Sequence, residues 1–318
     1  MVPTKCHLPL SSLLDQVDEC LDASLADADA PPTHLHRAMR HAVFPGGKRI
    51  RPRLLLSVFS VCAGEAAEPE LAMAGACAIE LVHSASLVHD DLPCFDNADE
   101  RRGRPTVHAL FGEAMAVLAG DALLTRAFEL IADTPSRTAV RALRIARLLG
   151  SATGSRTGII GGQSLEELPL ADATRAHATA ALADPYAAMK TAPLFRLAAE
   201  VGTIAAGSGN ETAWAELGQC LGVMYQLADD LCDVCGSRQA TGKPVHMDAA
   251  LGRPNVVLLD GPGAVRARLS VLANRAREQA VALAAEPGLL IDMLDDLAEH
   301  FIRSTVEQSE KVALLPAG

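Results

Sequence analysis

Two clusters of aspartates are the residues in this sequence best suited to metal and phosphate chemistry. Their acidic members are Asp90, Asp91, Asp96, Asp229, Asp230 and Asp233. A helix turns by about 100° per residue, so Asp229 and Asp233 lie nearly above one another, with Asp230 about 60° from Asp233. Three carboxylates on one face form a hard oxygen site suited to Mg²⁺ shared with a phosphate. Pro93 cannot continue a helix, so Asp96 must return from a bulge.

Each cluster stands at the C-terminal end of a very apolar predicted helix. One such cluster alone usually marks a solvated acidic helix end. Buried carboxylates are costly unless they are paired or bound to metal, and two like-charged clusters facing one pocket repel each other unless cations bridge them. The presence of two clusters therefore favours a metal site.

Basic residues accompany the aspartates. The segment 46–52 reads GGKRIRP and puts cations on a glycine turn at a helix start, where backbone N–H groups can also bind an anion. A second basic run, 101–104, follows the first aspartate cluster. The candidate anion-binding residues are Gly47, Lys48, Arg51, Arg101 and Arg102.

Further polar positions lie on the predicted core helices. His83 shares a helix face with the first aspartate cluster, although a satisfied core histidine is the ordinary alternative. Lys190 and Thr191 interrupt an apolar helix, where snorkelling of the lysine to solvent is the alternative. Gln226 lies about 60° from the direction of Asp229, and Gly222 is expected to open that face one turn below.

Two metal-binding clusters and two basic anion sites imply two phosphorylated substrates, one of them activated by metal. The hydrophobic interior between the helices implies that the substrate body is apolar.

The elements that must position these residues are helices. Apolar residues recur with helical spacing almost throughout, and no sustained period-two alternation predicts a sheet. The predicted helices are 10–25, one ending near 43, 51–63, 69–92, 106–132, 136–150, 172–183, 186–207, 211–235, 263–285 and 288–309. We predict an all-α fold: one domain over residues 1–318, a bundle of ten or more helices around a deep cavity, with 69–92, 106–132 and 211–235 at its centre.

Composition excludes several other classes. Of 318 residues, 49% are hydrophobic and only 3% are aromatic, and the net charge is −11. Global disorder is excluded, and a nucleic-acid partner is not expected from an acidic chain with few rings. The eight cysteines, including the pair Cys232 and Cys235, are expected to be free thiols in a reducing cytoplasm. We expect no signal peptide and no membrane span.

The motifs together resemble the trans-prenyltransferase (polyprenyl diphosphate synthase) family over almost the whole chain. The resemblance covers the GGKRIRP turn, the first aspartate cluster with the following arginines, and the second cluster with Tyr225 and Gln226 before it. It extends to Gly162-Gln163 and to Lys190-Thr191, and Lys243 stands where the family has a loop lysine. The resemblance implies the isoprenoid synthase fold.

The sequence departs from the family pattern at two points. Glu166 replaces the aspartate usual three residues after the Gly-Gln pair, and Arg253 stands where a Gly-Lys-x-Thr motif is common. The residues at 87–96 and 251–255 are similar to those of bacterial geranylgeranyl diphosphate synthases of carotenoid and bacteriochlorophyll pathways.

The resemblance implies a head-to-tail condensation of isopentenyl diphosphate with an allylic diphosphate such as dimethylallyl, geranyl or farnesyl diphosphate. About three Mg²⁺ ions, replaceable by Mn²⁺, would be held by the six aspartates, with Arg101, Lys190 and Lys243 adding charge to the allylic site. Isopentenyl diphosphate would bind Gly47, Lys48, Arg51, His83 and Arg102. Thr191 and Gln226 would stabilise the allylic cation, and the released diphosphate would accept the proton. The family also implies a homodimer packed through central helices, and we expect helix 106–132 to form the contact because it is apolar around most of its circumference.

Three alternative functions remain open from the sequence. Within the same family, the nearest alternative to a geranylgeranyl diphosphate synthase is a farnesyl diphosphate synthase. A terpene cyclase would normally lack the GGKR turn and a complete second aspartate cluster. A non-catalytic partner subunit of the same fold would have lost aspartates.

Product length depends on the helix before the first aspartates. Ala85 and Ser86 lie just over one turn below Asp90 and are small. In the family these positions help to set the floor of the pocket, and Leu81 and Val82 would stop growth on the next turn. We expect mainly geranylgeranyl diphosphate.

Overall fold

The computed structural model of the chain describes residues 10–26, 33–135, 137, 139–166, 189–235, 255–288 and 290–297. Its helices are α1 (Leu10–Leu25), α2 (His34–Val43), α3 (Ile50–Cys62), α4 (Pro69–Asp90), α5 (Val107–Phe111), α6 (Glu113–Asp133), α7 (Ala139–Thr153), α8 (Ile159–Glu166), α9 (Ala192–Ala206), α10 (Glu211–Cys235), α11 (Val256–Asp260) and α12 (Pro262–Leu283). Residues 290–297 are also helical. The strands β1 (Glu100–Arg101) and β2 (Arg104–Pro105) pair in a short hairpin.

The predicted all-α fold class is confirmed, and the bounds of α1 and α10 agree with the prediction. Four elements of the described residues were not predicted: the two-residue strands β1 and β2, and the helices α8 and α11. The expectation of no sheet is therefore wrong at the hairpin, whose strands are too short to show an alternating pattern. The predicted helix 172–183 lies outside the described residues.

The predicted helix 106–132 is interrupted at Gly112, which separates α5 from α6. Gly112 has φ 87°, a conformation that is accessible to glycine and strained for other residues. Its backbone N–H bonds the carbonyl of His108 at 2.9 Å and so closes α5, while its own carbonyl accepts a bond from Ala116 in the first turn of α6. Periodicity did not reveal the break because apolar residues continue on both sides.

The described residues form two compact units. One consists of those within Met1–Glu100, Arg104–Gly150 and Leu197–Trp214, and the other of those within Arg101–Gly103, Ser151–Arg196 and Ala215–Gly318. The first unit contains the glycine turn and the first aspartate cluster. The second contains Lys190, Thr191 and the second aspartate cluster. The single domain over 1–318 stays a prediction.

Helix α4 is the apolar centre of the first unit and ends in the first aspartate cluster. By length and composition alone it is the one described helix that could cross a membrane, and 78% of its most apolar window is buried inside the structure. Burial of that extent is what a core helix shows. Gly75 lets α4 approach α9, since a Cβ there would lie 2.5 Å from Cγ1 of Val201.

The cysteines within the described residues are free, as predicted: Cys20, Cys62, Cys77, Cys94, Cys220, Cys232 and Cys235. A hydrogen bond from the Cys77 thiol lowers the pKa of Cys20 to about 7, against the opposing effect of burial. Burial raises the pKa of Cys62 to about 11.

Candidate active site

The first aspartate cluster caps α4. Asp91 ends the helix, with its backbone N–H bonded to the Leu87 carbonyl at 3.1 Å. The chain then turns back on itself, because the N–H of Asp96 bonds the Asp90 carbonyl at 2.9 Å and that of Ala98 bonds the Asp91 carbonyl at 3.1 Å. The predicted return of Asp96 from a bulge is confirmed. Asp90 and Asp96 remain half-buried, whereas Asp91 is buried.

The residues one to two turns below Asp90 are packed to different extents. Ala85 is fully buried, while His83 and Ser86 are half-buried. The hydroxyl of Ser86 donates to the His83 carbonyl at 2.8 Å, which fixes its rotamer within the helix. Of the two positions predicted to control product length, Ser86 is the more accessible.

His89 anchors the end of α4 and was missed by sequence reasoning. Its Nε2 lies 3.3 Å from the Val117 carbonyl and 3.9 Å from a carboxylate oxygen of Asp121, both on α6. A Cβ at Gly120 would lie 2.1 Å from that nitrogen, so the glycine provides the slot for the ring. The imidazole therefore fixes α4 against α6 immediately before the aspartates.

The glycine turn before α3 exposes some of its residues and buries others. Gly47 and Lys48 are exposed, whereas Arg49 and Arg51 are buried. Gly46 and Arg49 both adopt the left-handed conformation, with φ 75° and 49°. Such a turn is permissive for glycine but strained for an arginine, so tertiary contacts must hold it.

Those contacts come from the Arg49 guanidinium. Its Nη1 donates to Oε1 of Glu80 at 2.6 Å, its Nε to Asp18 at 2.9 Å and its Nη2 to the Val43 carbonyl at 3.0 Å. Both Arg49 and Glu80 are 5% exposed. A Cβ at Gly46 would lie 2.4 Å from the guanidinium carbon. Arg49 is therefore a structural residue inside the turn. The sequence contained one signal of this role, namely Glu80, an acidic residue within the otherwise apolar helix α4.

The second basic run forms the β1–β2 hairpin. Arg101 is half-buried and Arg102, with φ 54°, is exposed at the turn. Arg104 instead points away from the hairpin end and donates to the Phe44 carbonyl and to Nδ1 of His41.

The second aspartate cluster is unevenly exposed. Asp229 is half-buried, whereas Asp230 and Asp233 are buried. Both carboxylate oxygens of Asp230 accept hydrogen bonds, one from Nε2 of Gln226 at 2.8 Å and one from the N–H of Val256 at 2.9 Å. Asn255 caps α11 through its side-chain oxygen. Asp230 thus holds the start of α11 against α10.

Thr191 and Gln226, which the resemblance assigns to the same role, are in direct contact. The Thr191 hydroxyl donates a hydrogen bond to Oε1 of Gln226 at 2.5 Å. Gln226 in turn donates from Nε2 to a carboxylate oxygen of Asp230. Thr191 forms a turn ahead of α9, so the predicted continuous helix 186–207 is wrong at this point. The hydroxyl of this turn residue therefore joins the start of α9 to α10.

Two glycines let neighbouring backbone approach the Lys190–Ala192 segment. A Cβ at Gly162 would lie 2.6 Å from the Lys190 backbone nitrogen, and one at Gly222 would lie 2.4 Å from Cα of Ala192. The expectation that Gly222 opens the face of its helix is wrong, because α9 fills that space. Lys190 itself is half-buried. Lys243 and Arg253 lie outside the described residues.

The donor set suits Mg²⁺ shared with a ligand. No three His, Cys, Asp or Glu side chains of the described ranges gather closely enough to hold a metal alone. Mg²⁺ is typically bound by one or two carboxylates together with substrate phosphates and water, so a closed protein cage is not required. In the first unit, half-buried Asp90 and Asp96 offer the hard oxygens that Mg²⁺ prefers, and half-buried Asp229 does so in the second unit.

Comparison with known proteins gives concordant matches. The polyprenyl synthetase family model matches residues 32–286. The chain is 42% identical to a geranylgeranyl diphosphate synthase of Rhodobacter capsulatus over 80% of this chain and 85% of that protein. It is 38% identical to one from Cereibacter sphaeroides over 91% and 98%.

Solved structures of prenyltransferases also resemble the chain. A geranyltransferase of Helicobacter pylori, complexed with magnesium and isoprenyl diphosphate, matches with TM-score 0.74 and 28% identity over 94% of this chain and all of that one. An FPP/GFPP synthase of Zymomonas mobilis matches with TM-score 0.72 and 28% identity over 92% and 96%. The trans-prenyltransferase activity predicted from the motifs is confirmed, and the chain belongs to the polyprenyl synthetase family.

Proposed function

We propose that the chain condenses isopentenyl diphosphate with allylic diphosphates and that geranylgeranyl diphosphate is its main product. The observation that carries this proposal is the joint presence of two complete aspartate clusters, the glycine turn and the Thr191–Gln226 pair. The names of the two bacterial synthases support the product. Dimethylallyl, geranyl and farnesyl diphosphates are the proposed primers.

The allylic diphosphate is assigned to the two aspartate clusters. Asp90, Asp91, Asp96, Asp229, Asp230 and Asp233 would hold Mg²⁺, about three ions in all, with Mn²⁺ as a substitute. When bound, the metal would neutralise the leaving diphosphate so that its carbon–oxygen bond can ionise. The two hydrogen bonds that Asp230 accepts would orient its carboxylate, which keeps further lone pairs for the metal. Lys190, Arg101 and Lys243 add positive charge.

Thr191 and Gln226 are assigned to the allylic cation. The Thr191 hydroxyl donates its hydrogen bond to Oε1 of Gln226. Its oxygen lone pairs are consequently left as acceptors, which can face positive charge developing in the transition state. The buried site of Gln226 also limits water, which would otherwise capture the cation.

Isopentenyl diphosphate is assigned to the glycine turn and its neighbours, namely Gly47, Lys48, Arg51, His83 and Arg102. Exposed Lys48 and the N–H groups of the turn can bind a diphosphate directly. This half of the reaction needs no metal.

Product length is assigned to Ala85 and Ser86. Their small side chains leave room for a fourth isoprene unit, and fully buried Leu81 and Val82 lie on the turn below. The half-buried Ser86 is the position at which the growing chain would pass.

A second copy of the chain is the proposed partner of α6. That helix exposes Val117, Leu118 and Phe128. An open groove of about 460 Å³ on the same helix is lined mainly by apolar atoms, with Leu124, Phe128 and Ala132 among its residues. An exposed apolar face of this kind indicates an interface. Leu118→Asp should yield monomers in light scattering, whereas Val271→Asp, at an exposed position of α12, should not.

The cytoplasm is the proposed compartment. The free state of the described cysteines is the one that a reducing compartment maintains.

The test is turnover of labelled isopentenyl diphosphate with each primer and Mg²⁺, followed by separation of products by chain length. We expect the twenty-carbon product, no turnover with chelator, and loss of turnover by orders of magnitude in Asp90→Ala and Asp229→Ala. Products that stop at fifteen carbons would indicate a farnesyl diphosphate synthase. Absence of turnover with every primer would leave a non-catalytic partner subunit.

A further inference from the structure

Arg104 contacts the backbone that leads into the glycine turn. Its Nη1 donates to the carbonyl of Phe44 at 2.5 Å, and its Nη2 lies 3.1 Å from Nδ1 of His41. Phe44 closes α2, with its N–H bonded to the Arg40 carbonyl at 2.9 Å. The guanidinium thus binds the carbonyl of the residue that ends α2, directly before the segment of the glycine turn.

The partners of His41 determine its protonation pattern. Its Nε2 lies 2.8 Å from the Pro105 carbonyl, which can only accept, so Nε2 must carry the proton. A guanidinium can only donate, so Nδ1 must be the bare nitrogen that accepts from Arg104. His41 therefore bridges α2 to β2 and orients the guanidinium toward Phe44.

Arginines of two different motifs bind consecutive carbonyls at this point. Arg49 binds the Val43 carbonyl from the buried side, and Arg104 binds the Phe44 carbonyl from the hairpin side. The residues that follow include Gly46 and Gly47, and glycines lose the most conformational entropy when they are fixed. Contacts that hold such a turn in advance reduce the cost of ordering it around a ligand.

We infer that Arg104, oriented by His41, is a positioning residue for isopentenyl diphosphate: it fixes the entry to the glycine turn rather than binding the diphosphate itself. The inference rests on the proposed assignment of Lys48 and Arg51 to that substrate. Two nitrogens of the Arg104 guanidinium already donate to protein acceptors. The effect on the substrate that we assign to Arg104 is exerted through the Phe44 carbonyl, which it binds at the entry to the glycine turn.

Steady-state kinetics of His41→Ala, Arg104→Ala and the double variant test the inference. We expect Arg104→Ala to raise the KM for isopentenyl diphosphate about tenfold, the effect of losing a charged hydrogen bond, with kcat and the allylic KM little changed. The double variant should be no worse than Arg104→Ala, because the two side chains act as one unit. His41→Asn, which keeps an acceptor near Nδ1, should recover most of the loss caused by His41→Ala.

Independent, multiplying effects of the two single variants would overturn the inference, since they would mean that Arg104 acts without His41. Equal increases in the KM of both substrates would overturn it as well. Arg144→Ala removes an exposed arginine that pairs with Glu211 at 2.9 Å and should leave both KM values unchanged.

Arg51→Ala separates this inference from the substrate assignment. If Arg51→Ala raises the KM for isopentenyl diphosphate and Arg104→Ala does not, the inference alone fails. If Arg51→Ala leaves that KM unchanged, both the assigned site and the inference fail. Thermal melting identifies any variant that does not fold, and His41→Asn then supplies the comparison with wild type.

Discussion

The buried pair of Arg49 and Glu80 allows a quantitative test of how the glycine turn is held. Glu80→Gln keeps the shape of the side chain and removes its charge, so a buried guanidinium loses its nearest counter-ion. Breaking one side of a buried ion pair typically costs about 3–5 kcal/mol. Asp18 still contacts Arg49 at 2.9 Å but is half exposed, so we expect the lower end, about 3 kcal/mol.

Thermal unfolding measures this cost. With an unfolding entropy of about 2.1 cal/mol/K per residue, 3 kcal/mol corresponds to a fall in Tm of roughly 4–5 °C for a chain of this length. The matched control is Glu129→Gln. Glu129 bonds Arg126 at 2.9 Å, but both side chains are substantially exposed, so the expected loss is below about 1 kcal/mol.

The two variants should also differ in kinetics. Glu80→Gln loosens the guanidinium that binds the Val43 carbonyl, so the KM for isopentenyl diphosphate should rise while the allylic KM changes little. Equal Tm shifts in Glu80→Gln and Glu129→Gln would refute the reasoning, because burial would then have no effect on the strength of the pair.

Four further predictions concern the rest of the molecule. Ala85→Tyr should shorten the main product to fifteen carbons, measured by chromatography, and should lower Tm because overpacking a fully buried site costs about 1–3 kcal/mol. Lys190→Ala should mainly raise the KM for the allylic substrate in steady-state assays, and an equal effect on isopentenyl diphosphate would contradict its assignment. Asn255→Ala should destabilise the protein by about 1–2 kcal/mol in chemical denaturation through loss of the α11 cap. Cys20 should be alkylated at a rate that rises as the pH passes about 7, because its pKa is lowered. The contribution of this ionisation to the free energy of unfolding is fully present above pH 9.0, the ordinary thiol pKa, and is lost as the pH falls through about 7.

Local sequence was sufficient for much of the fold. Helical spacing and capping signals act within a few residues, so they predicted α1, α10 and the end of α4 at its aspartates. Pro93 alone required Asp96 to return by a turn, because a proline removes the N–H that a helix needs. The hairpin, α8 and α11 escaped prediction because such short elements carry little periodic signal.

The candidate residues were also evident from sequence, since carboxylates and cations in apolar surroundings have few purely structural explanations. The separate role of each candidate residue was not evident from the sequence. Arg49, Arg51 and Arg104 are chemically equivalent in the sequence, yet Arg49 is neutralised by Glu80 and Arg104 binds the carbonyl of Phe44.

Only the tertiary structure decided which protein groups these side chains contact. Asp230 differs from Asp229 because the N–H of Val256, distant in sequence, lies against its carboxylate. Gly222 serves close packing because Ala192 lies against it. The sequence determined which chemistry the chain carries, because residue type is local. Orientation and burial depend on neighbours brought together by folding, so only the structure determined how deeply each of these side chains is buried and which neighbours it contacts.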